Sequence, residues 1–233
     1  MTALYMELTA INFRVRQNQR IVEPVTEVSM TYAVLDVETT GLDPETDNII
    51  EIGVVLLDNE LRQESTFHSL VQPGRAVSAQ HIHHISDAML EEVPTILDLY
   101  QDIISVLDGR ILVAHNARFD LGFLNAEFSR ATNLTLFQRE NAVCTMDQSR
   151  IYCAPGSHSL VGLAARLGIE VPISHRALAD ALTCSYLFKH YFFQEKRGHR
   201  FTSHACNRQG ETVLPCEWER ATPWNARSDQ KLV

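Results

Sequence analysis

No cysteine pair in this chain has the close C-x-x-C spacing of a redox or zinc motif. The five cysteines (Cys144, Cys153, Cys184, Cys206, Cys216) are odd in number and scattered, so a disulfide framework is not expected. No apolar run approaches the length of a membrane span, and no basic segment followed by an apolar core stands at the N-terminus. A cytoplasmic protein with no membrane contact is the expectation. Repeats and low-complexity tracts are missing too. Positive charge is scarce: 20 Lys+Arg against 29 Asp+Glu leave a net charge of −9. Such a balance argues against coating long nucleic acids through bulk charge. It leaves open an enzyme that grips only a chain end, where bound divalent cations invert the local sign.

What is present is an ordinary globular composition. The chain has 233 residues, 45% hydrophobic and 21% charged, enough for one core of about 150–200 residues with tails. Residues 1–30 carry weak signals and read as a poorly ordered lead-in or an edge element. The informative stretch is Ala33 to Leu42, which begins as the apolar run of a buried strand and then places Asp36 and Glu38 two residues apart. On a strand these carboxylates face the same way, about 7 Å apart. Two acids on one face of a core strand repel each other unless a cation sits between them. Gly41 ends the strand with freedom to take positive φ and to leave backbone close to a ligand.

Ile49 to Leu57 reads as a second strand and Thr66 to Val71 as a third, joined by short turns and so antiparallel neighbours. His81, His83 and His84 lack the spacing of H-E-x-x-H and read as surface or substrate-edge histidines. Pro94 opens a helix with Ile96, Leu97, Tyr100, Ile103, Ile104 and Leu107 at helical spacing, stopped by Asp108-Gly109, and a buried strand follows over 111–114. That strand runs into His115-Asn116, with Asn116 as an N-cap and Asp120 in the first turn of a helix. An acid there also suits the helix dipole. Leu160 to Leu167 is an amphipathic helix ended by Gly168, and another helix starts at Ala177, with His175 before it and Asp180 in its first turn. Taken alone, that pair reads as N-terminal capping. From Gln194 onward periodicity disappears, and both tryptophans, Trp218 and Trp224, fall there. His199, His204, Cys206 and Cys216 have no zinc-knuckle spacing. Residues 194–233 read as a flexible tail with aromatic anchors for a protein partner. The order of elements makes an α/β protein, a mixed sheet flanked by helices.

Each acid has a local explanation; the set does not. Asp36-x-Glu38-Thr39-Thr40-Gly41, then His115-Asn116-Ala117-x-Phe119-Asp120, then His175-x-x-x-x-Asp180 resembles the three motifs of the DEDDh exonuclease family, most nearly its proofreading (epsilon) type. The resemblance runs from about Tyr32 to Phe192. It implies a ribonuclease-H-like fold with three antiparallel strands plus parallel ones, an exonuclease domain over 31–193, and 3′→5′ cleavage releasing nucleoside 5′-monophosphates. It also implies two divalent metal ions, Mg²⁺ or Mn²⁺. Matched residue by residue, Asp36, Glu38 and Asp180 would hold the first metal, Asp36 would bridge to the second, and Asp120 would act through water. His175 matches the general base. Thr39, Thr40, Gly41 and Leu42 would seat the terminal nucleotide, together with Asn116 and Phe119; His83 would lie near the substrate.

The residue types suit that chemistry independently. A phosphodiester repels an attacking hydroxide, and paired divalent ions reverse the repulsion. Oxygen-only ligands suit Mg²⁺ or Mn²⁺, and a neutral histidine beside them can take a proton. The expected substrate is a single-stranded 3′ end of DNA, in proofreading or repair. One alternative is an RNA- or oligonucleotide-directed exoribonuclease of the same family. Another is a non-catalytic nucleic-acid or polymerase-binding module, against which the intact acid set speaks.

Overall fold

Strand β1 (Tyr32–Thr39) is the centre of the molecule, and the acids sit at its end because its upstream half is apolar on both faces. Ala33, Leu35 and Val37 pack on one face of the sheet, Tyr32 and Val34 on the other. The computed structural model describes residues 30–77, 83–132, 136–170 and 175–226. The lead-in expected before Met30, and His81, lie outside the described residues.

Strand β2 (Ile49–Leu57) is buried throughout and pairs antiparallel with β1; β3 (Gln63–Leu70) pairs antiparallel with β2. Strands β4 (Ile111–Ala114) and β5 (Ala142–Cys144) run parallel to β1, giving the order β3-β2-β1-β4-β5. This is the mixed sheet of a ribonuclease-H-like fold. Helices α1 (Ile96–Leu107) and α2 (Ala117–Thr132) cover one face, through Leu99, Ile103, Phe123 and Phe128. Helix α1 begins at a capping box between Thr95 and Asp98. Helices α3 (Thr145–Tyr152), α4 (Leu160–Leu167) and α5 (Ala177–Lys196) cover the other, through Ile151, Leu163, Leu187 and Phe188. By strand alternation Asp36 and Glu38 share the face of Tyr32 and Val34, so they look toward α5.

Helix α5 lies directly on β2. A Cβ at Gly53 would meet Leu178 N at 2.3 Å and the Ala177 carbonyl carbon at 2.4 Å. Gly53 is also the cross-strand partner of Asp36. The missing side chain therefore lets the start of α5 approach the acids. Gly53→Ala is expected to cost about 1–3 kcal/mol, as overpacking does. A denaturant melt measures it, and a variant as stable as wild type would show that the helix can shift freely.

The C-terminal segment corrects the expectation of a flexible, outward-facing tail. Beyond α5 the chain forms a hairpin of β6 (Ala205–Cys206) and β7 (Thr212–Val213), then a single turn α6 (Glu217–Arg220). Trp218 is 2% exposed and packs on Tyr152, Phe188 and Phe192; Trp224 is 0% exposed and lies 4.8 Å from the Phe137 ring. The Trp224 indole N–H donates to Leu136 O at 2.7 Å, and its backbone pairs with Arg110. Both tryptophans anchor the segment to its own chain rather than to a partner. Glu217 accepts the Cys144 N–H at 2.9 Å and pairs with Arg139, covering the β5 edge. No described helix is long and apolar enough to cross a membrane.

Candidate active site

The site forms where β1 ends and two helices begin. Asp36 and Glu38 leave β1 on the α5 face, both half-buried. Asp120 stands in the first turn of α2, buried, and its Oδ1 accepts the N–H of Val37 at 3.3 Å. That bond ties the second motif to the residue between the two acids of the first. Asp180 stands in the first turn of α5, buried, and its Oδ2 accepts the His175 N–H at 3.0 Å. Asp180 thus caps the turn that carries His175, so the N-terminal capping reading holds for the acid. The histidine ring itself remains exposed, on a backbone at φ 61°. Ligand atoms of Glu38, His175 and Asp180 lie within 4.8 Å of one another.

The electrostatics show what the cluster lacks. Burial, then repulsion from Asp120, Asp180 and Glu38, holds the Asp36 carboxyl well above the usual carboxylate range. Burial and the neighbouring acids push Glu38 up to about 8. Burial pushes Asp120 up to about 7, against the lowering pull of its own and the Val37 N–H. Asp180 is raised as well, chiefly by burial. Its Oδ1 is buried with no hydrogen-bond partner. Four crowded carboxylates and an orphaned oxygen fit hard divalent cations with oxygen ligands, which would stabilise the charged forms that burial opposes.

The proposed nucleotide-seating residues divide. Leu42 is 84% exposed at the strand exit. Thr39 donates its hydroxyl to Gly41 O at 2.6 Å, and the buried Thr40 hydroxyl donates to Asp47 and accepts the Asn48 N–H at 3.0 Å. These bonds shape the turn after β1. Gly41 is not at positive φ, contrary to expectation. Its missing side chain instead makes room for Asp47, whose Oδ2 would lie 2.2 Å from a Cβ there. Asn116 is exposed just before α2, its carbonyl accepting the Phe119 N–H at 2.7 Å; Phe119 is half-buried against Phe123. His83 is buried rather than on the surface, its Nδ1 accepting the Ile85 N–H at 3.1 Å. His115, the other histidine of the motifs, is buried with both ring nitrogens engaged, to Thr145 and to His158 O; burial pushes it down to about 4. It is a neutral structural group, which leaves His175 as the histidine open to the cluster.

Sequence reading missed Glu51. It is Glu38's cross-strand partner on β2, completely buried, and it receives Arg176, Ala177 N–H and His68. The signal was available: an acid in an otherwise apolar strand whose residues are buried on both faces.

A sheet of this order, with acids gathered at the end of its central strand, is the architecture of ribonuclease-H-like nucleases, a class that normally uses divalent metals. The chain belongs to the exonuclease family (RNase T), whose model matches residues 33–188. Within that class it is a 3′→5′ exonuclease of the DEDDh type. It is 37% identical over 163 residues to the DNA polymerase III subunit epsilon of Treponema pallidum, covering 68% of this chain and 75% of that one. It is 34% identical over 170 residues to the PolC-type DNA polymerase III of Thermotoga petrophila, covering 72% of this chain but only 12% of that protein. Among solved structures, exonuclease X in complex with 5′ overhanging duplex DNA superposes with a TM-score of 0.54 at 27% identity, covering 72% of this chain and 93% of that one. A 3′-exonuclease in 3′-end specific recognition of a histone mRNA stem-loop shares the fold, with a TM-score of 0.63 at 17% identity over 84% of this chain and 95% of that one.

Proposed function

We propose that this exonuclease shortens single-stranded DNA from its 3′ end and releases nucleoside 5′-monophosphates, in proofreading or repair in the cytoplasm. The observation that carries this reading is the meeting of Asp36, Glu38, Asp120 and Asp180 with an exposed histidine at one strand end. Asp36, Glu38 and Asp180 would hold one Mg²⁺ or Mn²⁺, with Asp36 and Asp120 directed to a second. Bound there, the ions supply positive charge opposite the phosphate and the leaving oxygen. His175 accepts a proton from the attacking water on its exposed ring, and the Asp180 carboxylate holds the His175 backbone so that the ring stays at the cluster. Leu42, with Thr39, Thr40, Gly41, Asn116 and Phe119, seats the terminal nucleotide; His83 would lie near the substrate. The similarity to polymerase III proteins makes a replicative polymerase the natural partner class. Because the tryptophans are buried, such a partner would meet the exposed Phe201 and Leu214 of the C-terminal segment.

The test is incubation of 5′-labelled DNA and RNA oligonucleotides with Mg²⁺ or with EDTA, products being read on a gel. Metal-dependent shortening of the DNA from its 3′ end is expected. A preference for RNA would move the reading to an exoribonuclease, and metal-independent cutting would sink it.

His175→Ala is expected to lower kcat by roughly 10²–10⁴-fold, the range for a lost acid–base group. Oligonucleotide binding should be nearly unchanged. A melting curve of each protein, beside its rate, separates lost chemistry from lost folding. A variant that melts early yet turns over normally in its folded fraction would assign His175 a purely structural role.

A further inference from the structure

Glu38 and Glu51 face each other across β1 and β2, on the same side of the sheet. A fifth acid this close would add to the repulsion in the cluster, yet Glu51 is the one carboxylate there held below its usual range. Burial alone would raise it, but the Arg176 guanidinium, the Ala177 N–H and the His68 ring together outweigh burial. Arg176 Nε lies 3.0 and 3.1 Å from the two Glu51 oxygens and its Nη2 lies 2.7 Å from Oε1. Ala177 N–H donates to Oε2 at 2.9 Å, and His68 Nε2 lies 2.6 Å from Oε1. Every lone-pair direction of Glu51 is engaged, which makes it a poor metal ligand despite its place.

Arg176 immediately follows His175 and acts on two carboxylates, Glu51 by contact and Glu38 through space. A guanidinium keeps its charge at every working pH. Left unpaired beside Glu38, it would neutralise the acid that a divalent ion needs. The geometry therefore points to Glu51 as a positioning residue: we propose that it holds Arg176 off Glu38, leaving Glu38 free for a cation. The inference rests on the proposed metal site and adds the device that keeps a built-in cation out of it. It also explains why the third motif can carry an arginine beside its histidine without closing the site. Glutamine at position 51 could still accept the Ala177 N–H through its carbonyl oxygen, so the start of α5 would keep its anchor while the charge that restrains Arg176 is lost.

The experiment is calorimetric titration of Mn²⁺ into wild type, Glu51→Gln, Arg176→Gln and the double variant, with a circular-dichroism melt of each. Glu51→Gln is expected to weaken Mn²⁺ binding about tenfold or more, the scale of one charge-assisted hydrogen bond. The double variant should recover to within about threefold of wild type, because the competing cation is gone. Arg176→Gln should bind at least as tightly as wild type. A Glu51→Gln protein that binds like wild type, or a double variant as weak as Glu51→Gln, would overturn the proposal. The second outcome would mean that the Glu51 carboxylate acts on the site by a route other than Arg176. Should Glu51→Gln fail to fold, Arg176→Gln decides: weaker binding there would show that the guanidinium helps the site instead of competing with it. A wild-type protein that takes up no Mn²⁺ would overturn the metal site itself, an outcome distinct from these.

Discussion

Asp36→Ala should reduce nuclease activity to background while the apo protein becomes at least as stable as wild type. Asp36 is the acid most opposed by its surroundings, by burial first and then by Asp120, Asp180 and Glu38. Removing it relieves that opposition, and a relief of about 1 kcal/mol would raise Tm by roughly 2–4 °C in a domain of this size. The same physics sets a pH dependence. In the unfolded chain these carboxyls titrate near ~4, whereas in the fold Glu38 is pushed up to about 8 and Asp120 to about 7. Between those limits the native state holds more protons than the unfolded state, so stability falls as pH rises. The contribution of these acids to metal-free stability should be greatest below the unfolded values, with its loss complete above about 8. Saturating Mg²⁺ should flatten that decline, adding about 2.7 kcal/mol at a hundredfold excess over its Kd. Melts across pH with and without Mg²⁺, for wild type and Asp36→Ala, check all of this. Equal metal-induced shifts in the two proteins would place the ions elsewhere.

Trp224→Ala should cost about 3–5 kcal/mol, the range for emptying a buried aromatic site. The indole fills space beside Phe137, joins the core formed by α1, α2 and the sheet, and bonds to Leu136 O. Truncation after Lys196 should be worse. It removes Trp224 and Trp218 together, uncovers Phe188 and Tyr152, and strips Glu217 from the edge of β5. A chain ending there is expected to be insoluble or molten, read as lost near-ultraviolet circular dichroism and a missing cooperative melt. A truncated protein that melts cooperatively near the wild-type temperature would show that the segment is merely apposed.

The catalytic half of the molecule was legible because its signals are local. Strand β2 and helix α4 follow from apolar runs and periodicity, and the alternation of β1 places Asp36 and Glu38 on one face without any tertiary information. Asp120 and Asp180 needed the three-motif pattern, since each also explains itself as a helix-start acid. Strand β5 is only three residues long and gives no period to read. The burial of Trp218 and Trp224 is a purely tertiary fact: short irregular chain threads them into gaps made by distant helices. Glu51 was passed over for a related reason. An acid in an apolar strand announces a partner, but Arg176 lies more than a hundred residues away and only the fold brings it near.

The two ends of the sheet differ. At β5, the C-terminal segment lies over the edge, Glu217 taking the Cys144 N–H and the Thr222 N–H donating to Glu140 O just ahead of the strand; at β3, whose residues are mostly polar and exposed, the described chain offers pairing on one side only. Free ladder groups are what template one chain on another. With β3 the edge left open among the described residues, such a sheet can be extended once and then terminates: two copies meeting β3 to β3 would make a closed pair rather than a fibre. The C-terminal segment thereby acts as a chain stopper in the polymer chemist's sense, capping one terminus of a unit that would otherwise be bifunctional.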